Sequence, residues 1–239
     1  MKPEYRDSEG KALSDYPRPS VAVDTAVLTF DPADPAQGLL VLEVLREDGQ
    51  GWALPGTFLH EGETLARAVR RALRKKARVT GIEPRQLHVF DRPGRDNRGW
   101  VLSVGHVATV PIASLAGRHP DKTRLVPVDS PGKLVFDHEE IIRRAVDDLR
   151  SRYEDRPDPD RLLGDTFTLR QLRQVHDAVN GAELPPEKLD TFRRNMREHL
   201  AKVPRSRVSP DGRGRPAQLF RHKKPSRVLE PSGDKTQDR

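Results

Sequence analysis

The chain has 239 residues, a formal net charge of +7, an apolar fraction of 34% and no cysteine. That length accommodates one or two domains, and the lack of cysteine excludes disulfides, thiolate catalysis and Cys-type zinc sites. The start, KPEYRDSEGK, is too polar for a signal peptide, and no stretch reaches the apolar length of a transmembrane helix, so a cytoplasmic protein is expected. The excess of Lys and Arg points to contact with phosphates, because such side chains release counterions from nucleic acid.

Residues 1–14 are charged and without period, and a disordered leader is expected there. Val21–Phe30 and Leu39–Arg46 are aliphatic, β-branched and bounded by Pro, Asp or Gly, which predicts two strands around the turn DPADPAQG. Thr64–Arg78 predicts a helix, with Leu65, Val69, Ala72 and Leu73 on one face. Leu87–Phe90 and Trp100–Val110 predict strands flanking the loop RPGRDNRG. Phe136–Tyr153 predicts a second helix with the stripe Ile141, Ala145, Leu149, capped by Asp137 with Glu140 as its capping-box partner. Together these make a domain over 15–155, and residues 156–166, acidic and Pro-containing, suit a linker.

Thr168-Leu-Arg-Gln171 is a capping box, opening a helix that faces its core with Leu169, Leu172, Val175 and Val179 and ends at Asn180-Gly181. Pro185 and Pro186 suit the first turn of another helix, with Leu189, Phe192, Met196, Leu200 and Val203 as its apolar face. VSPDGRGRPAQLF then predicts two strands around a Gly-rich turn. Helix, helix, hairpin over 167–224 predicts a winged helix-turn-helix, and 225–239 is expected to be a disordered tail.

Residues 54–79, LPGTFLHEGETLARAVRRALRKKARV, resemble the Nudix box. In that motif, glutamates three and four residues apart share a helix face and give a hard divalent cation its oxygens. The metal then polarises a pyrophosphate and activates water. Glu63 and Arg71 match the motif, but Thr57 stands for its opening Gly, Arg78 for its later Gly, and Ala72, Lys75 and Lys76 for the three helix glutamates. Leu73 and Val79 keep its aliphatic positions. No catalytic residue, metal ligand or cofactor is therefore assigned. Arg67, Arg70, Arg71, Arg74, Lys75, Lys76 and Arg78 have no acid within the helix, which suits either a solvated face or an anionic partner, nucleotide or DNA.

The resemblance extends beyond the box. Tyr16-Pro-Arg-Pro19, Phe90-Asp-Arg-Pro-Gly-Arg-Asp-Asn-Arg-Gly99 and Phe136-Asp-His138 are similar to elements of ADP-ribose pyrophosphatase-type Nudix domains. Phe167-Thr-Leu-Arg-Gln-Leu172, Phe192-Arg-Arg194 and Gly214-Arg-Pro-Ala-Gln-Leu-Phe-Arg221 resemble the appended winged helix of the Nudix-related regulators of NAD metabolism, the NrtR family. The resemblance implies an α/β Nudix sandwich (α/β/α, mixed sheet) plus a C-terminal winged helix-turn-helix. It also implies a homodimer on a palindromic double-stranded DNA operator, with an ADP-ribose- or NAD-like nucleotide as effector. Cations would replace metal at its pyrophosphate: Arg71 with Lys75 or Lys76, and Arg95 and Arg98 of the loop in second place.

The second helix of a helix-turn-helix enters the major groove. Arg reads guanine and Asn adenine, so Thr191, Arg194 and Asn195 are the base-edge candidates, and Lys188, Arg193 and Arg197 phosphate contacts, with Lys202 on the same exposed face. Arg213 and Arg215 at the wing, flanked by Arg205, Arg207 and Arg221, supply sequence-independent attraction. His60, His106, His138, His176 and His199 show no ligand spacing, and Trp52 suits core or pocket wall. The competing readings are a hydrolase with unusual metal ligands and an RNA-binding or scaffold protein.

Overall fold

The computed structural model describes residues 5–49, 51–208 and 217–223. Residues 5–16 are ordered rather than a loose leader. Arg6 bridges Ala12, the turn between them is closed by Asp7 N to Lys11 O at 3.0 Å, and Ala12 is buried.

The chain then builds one mixed sheet. Its strands are β1 (Ser20–Phe30), β2 (Leu39–Leu45), β3 (Trp52–Ala53), β4 (Gly56–Phe58), β5 (Arg85–Phe90), β6 (Val101–Thr109) and β7 (Thr123–Pro127). The main path runs β3-β2-β1-β6-β5, with β4 on β1 and β7 on β2. β1 and β6 are parallel from Ser20↔Val101 to Leu28↔Thr109, and the other pairings are antiparallel. The sequence pattern missed β3, β4 and β7. Two or three residues carry no period, and β7 ends in a proline.

Side chains alternate across the sheet because successive Cβ atoms point to opposite faces. Ala26, Leu28, Phe30, Leu39 and Val41 face one core, and Val23, Val27, Leu42 and Val44 the other. Helix α1 (Leu65–Ala72), extended by a π turn over Leu73–Ala77, covers the second face with Ala68, Val69, Ala72, Leu73 and Ala77. Helix α2 (His138–Arg152) covers the first with Ile141, Ile142, Ala145, Val146 and Leu149. Each fully buried Leu, Ile or Val contributes about 1.5–3 kcal/mol. The capping box expected at Asp137 and Glu140 is absent, because the Asp137 carboxylate is drawn to Arg95 instead.

The expected linker is a packed joint. Asp158, fully buried at φ +40, accepts from Tyr153 Oη at 2.5 Å and from Leu162 N and Leu163 N at 2.8 Å each. Burial pushes the Asp158 carboxyl above its usual range despite these donors.

Beyond it, α3 (Leu169–Asn180) opens on the expected box, with Gln171 N donating to Thr168 Oγ1 at 3.2 Å and Thr168 N to Gln171 Oε1 at 2.9 Å, and closes at Gly181 with φ +69. Pro186–Lys188 make a 3-10 turn into α4 (Leu189–Glu198). The helix is shorter than expected. Leu200, Lys202 and Val203 belong to β8 (Leu200–Val208), which pairs with β9 (Ala217–His222). Phe167 adds a third strand position through mutual backbone bonds with Phe220 of 3.0 and 2.8 Å. The first core continues without a break from β1 and α2 into Phe167, Leu172, Val175, Val179, Met196 and Phe220. Arg150 Nε also donates to Val179 O at 2.9 Å at the end of α3. Among the described residues no helix is long and apolar enough to cross a membrane.

Candidate functional site: a cleft over β1 and the first turn of α2

A cleft of about 450 Å³ opens where β1, β4, the 91–99 loop and the first turn of α2 meet. Its floor is a buried polar network. Ser103 Oγ donates to Asp24 Oδ2 at 2.6 Å, Arg95 Nε donates to Asp137 Oδ2 at 2.8 Å, and Arg95 Nη2 lies 3.9 Å from Asp24. Leu54 N donates to His138 Nδ1 at 3.0 Å, which puts the ring proton on Nε2, 3.4 Å from Asp24 Oδ1. Burial pushes the Asp24 carboxyl up, but His138, Ser103 and Arg95 outweigh it and hold the group below its usual range. Gly56 is required beside it, since a Cβ there would sit 1.9 Å from Asp24 Oδ1 and 2.8 Å from Val23 O.

The cations proposed from sequence do not all arrive at this cleft. Lys76, Arg95 and Arg98 line it, whereas Arg71 and Lys75 do not. Arg95 is buried and committed to Asp137. Arg98 donates from Nε and Nη2 to Asp96 at 2.9 and 2.6 Å. Lys76 has no carboxylate partner within ion-pair distance among the described residues. Arg71 is spent on the local fold. Its Nε and Nη2 hold both Glu63 oxygens at 2.9 and 2.7 Å, Nη1 reaches Thr57 Oγ1 at 3.0 Å, and Nη2 reaches Phe58 O at 2.8 Å. Arg71, with His60 N, holds the Glu63 carboxyl down at about 2. Arg70 pairs with Glu83, so the basic helix is partly neutralised by acids from outside it. Its Arg67, Arg70, Arg71 and Arg74 line a second cavity of about 430 Å³.

This donor set does not fit the divalent cation of a Nudix box. Ala72 is buried and has no oxygen to offer, Lys75 and Lys76 bring positive charge, and Glu63 is saturated by Arg71. Among the described residues no three His, Cys, Asp or Glu side chains stand together as a metal needs.

Sequence reasoning missed Arg46, Phe58 and Phe136 as cleft residues and Asp24 and Ser103 as its floor. Phe136-Asp-His138 was the available signal, because Asp137 and His138 are the residues that tie α2 to the floor. His176, also unassigned, packs between Tyr153 and Phe192 with ring centroids 5.1 Å from each, and burial lowers it to about 4. Trp52 is stacked under Arg124, 4.3 Å from its ring, away from the cleft.

On the other unit, Thr191, Arg194, Asn195 and Arg197 are exposed on α4, and Lys188 on the turn before it. Arg193 reaches Asp190 at 3.3 Å. Lys202 projects from β8, not from the helix. Arg213 and Arg215 lie outside the described residues.

Residues 160–222 match the family model of the NrtR DNA-binding winged helix domain. The chain is 28% identical over 216 residues to an ADPR responsive transcriptional repressor, NtrR, of Acinetobacter baylyi, covering 87% of this chain and 84% of that one. It is 32% identical over 133 residues to an ADP-ribose pyrophosphatase of Methanocaldococcus jannaschii, covering 54% of this chain and 73% of that one. Its structure is similar to that of Shewanella oneidensis NrtR complexed with a 27mer DNA, with a TM-score of 0.68 and 29% identity over 85% of this chain and 93% of that one.

The box leaves one mark on the backbone. Arg78, in the place of its later Gly, adopts φ +56 as the cap of the π turn. A side chain in that conformation costs roughly 1–2 kcal/mol. Arg78→Gly should therefore raise stability by about 1 kcal/mol despite the added chain entropy, measured by urea denaturation. A loss of stability would show that the Arg78 side chain outweighs the backbone strain.

Proposed function

We propose that the chain is a Nudix-related transcriptional regulator of the NrtR type, an ADP-ribose-responsive DNA-binding repressor that does not hydrolyse its effector. The observation that carries the reading is the placement of α2. Its N-terminal end, with the cap Asp137 and His138, is tied to the cleft floor, and its C-terminal cap Tyr153 is tied to Asp158 of the joint that leads to the winged helix. A nucleotide in the cleft thus acts on the same rigid element that holds the DNA-binding unit, which is the physical content of coupling between two sites. The likeness to the Acinetobacter repressor over 84% of its length supports ADP-ribose as effector.

In this reading Lys76 and Arg98 meet the diphosphate. Arg95 holds the floor, and Arg71 and Lys75 act outside the cleft. The absence of hydrolysis follows from Ala72, Lys75 and Lys76 at the ligand positions and from Glu63 held by Arg71. The protein works as a homodimer on a palindrome whose half-sites lie about one helical turn, or a multiple, apart.

The test begins with an operator selected from random DNA by the full chain. Titrating ADP-ribose in the presence of a chelator should weaken operator binding at least ten-fold, about 1.4 kcal/mol of coupling. Incubation with magnesium or manganese should give no turnover. Operator affinity indifferent to ADP-ribose, NAD and NADH would remove the sensor. Turnover abolished by Glu63→Gln would replace this reading with a hydrolase.

The DNA-binding residues divide by role. Thr191, Arg194 and Asn195, exposed on α4, read base edges, while Lys188, Arg193, Arg197, Arg213 and Arg215 contact phosphate. Arg194→Ala should lose about 1–3 kcal/mol of discrimination per half-site. Arg213→Ala should weaken operator and scrambled DNA alike and lower the salt slope by about one unit per contact. A salt series on both DNAs checks this, and specificity that survives Arg194→Ala but collapses in Arg213→Ala inverts the assignment.

A further inference from the structure

Arg98 reaches from the 91–99 loop into the cleft. Its Cζ lies 4.9 Å from the Phe58 ring centroid and 4.6 Å from that of Phe136. Two aromatic rings from distant parts of the chain thus attend one planar cation. Phe58 ends β4 and is 37% exposed at the cleft wall. Phe136 precedes α2 with φ +58, a backbone conformation that a bulky side chain rarely adopts. It is held there because the next two residues are fixed, Asp137 by Arg95 and His138 by Leu54 N. Strain kept at the ring of a ligand cleft marks a position the ring must hold.

We propose that Phe58 and Phe136 form the stacking seat for the purine base of the nucleotide effector, and that Arg98 occupies this seat in the free protein. The proposal rests on the reading of the cleft as a nucleotide sensor and goes beyond it by fixing where the base lies and what it displaces. A guanidinium and a nucleobase are both planar and both stack on aromatic faces, so one serves as place-holder for the other. The exchange also selects the base. When Arg98 leaves, the Asp96 carboxylate, whose side chain is only 1% exposed, loses the two side-chain donors at 2.9 and 2.6 Å and keeps the Arg98 backbone N–H at 3.0 Å. A buried carboxylate stripped of its cation is unfavourable. The exocyclic amino group of adenine can donate to it, whereas the oxygen at that position of hypoxanthine cannot. The released guanidinium, on its long side chain, joins Lys76 at the diphosphate.

The experiment uses the full chain and the uncharged nucleosides adenosine and inosine, which report on the seat without the phosphates. ADP-ribose serves as the whole-site ligand, and affinities are taken from NMR titration. Adenosine is expected to bind at least five-fold more tightly than inosine. Phe58→Ala and Phe136→Leu are each expected to weaken adenosine at least five-fold, and Arg98→Ala to strengthen it at least three-fold. Phe58→Trp keeps a ring in the seat, and its added indole emission should be quenched by adenosine. Thermal melting of each variant separates loss of the seat from loss of the fold, and the exposed position of Phe58 keeps that variant informative if Phe136→Leu unfolds. Wild-type affinity for adenosine in Phe58→Ala, alongside normal binding of ADP-ribose, overturns the seat and leaves the sensor standing. Weaker adenosine binding by Arg98→Ala overturns the place-holder. Failure of the wild-type protein to bind adenosine while it binds ADP-ribose overturns the seat alone, and failure to bind either overturns both the seat and the sensor.

Discussion

Everything in this molecule hangs on helix α2 being fixed at both ends. Its 15 residues span about 22 Å at 1.5 Å per residue. At the start, Asp137 and His138 are tied to Arg95, Leu54 and Asp24 in the cleft floor. At the end, Tyr153 donates to the buried Asp158, and Arg150 donates to the Val179 carbonyl near the end of α3. Between them Ile141, Ala145 and Leu149 are wholly buried in a core shared with the winged helix. A helix so held cannot tilt at one end without moving what is packed on the other.

The segment that resembles a Nudix box obeys the same economy of buried charge. A carboxylate cluster needs a cation, and here the positions that would make one carry a methyl group and two ammonium groups. The Glu that remains is matched one-for-one by Arg71, and that pair pins the strand before the helix to the helix itself. Thr57 fits this arrangement better than a glycine would, since its hydroxyl accepts from Arg71 Nη1 at 3.0 Å. The box-like segment serves as a fold determinant, with Leu73 and Val79 at its aliphatic positions buried.

How far the sequence alone reached differs between the fold and the cleft. Aliphatic and β-branched runs bounded by turn residues located the long strands, which are buried on both faces, and stripes of period 3.6 located α1 to α4, because burial of one helix face repeats over many residues. Thr168-Leu-Arg-Gln171 and Gly181 were legible because capping is local. The N-terminal turn, the joint at Asp158 and the three short strands were not, since the first two are irregular local bonds between residues four or five apart and the strands are too short for a period or end in a proline. The cleft was half legible. Lys76, Arg95 and Arg98 could be named from the family resemblance, but that Arg95 would be spent on Asp137, 42 positions away, is a tertiary fact. Lys202 was placed on a helix because its spacing continued the stripe, and the chain turned into β8 first.

The central claim is that α2 carries the effector signal from the cleft to the winged helix, and amide hydrogen exchange tests it most directly. Full-length protein is compared with and without saturating ADP-ribose in the presence of chelator. The account predicts altered protection in the cleft and, with it, in the end of α2, the 154–166 joint and α3. Changes confined to the cleft, in a protein whose operator affinity nevertheless falls on adding ADP-ribose, would contradict it.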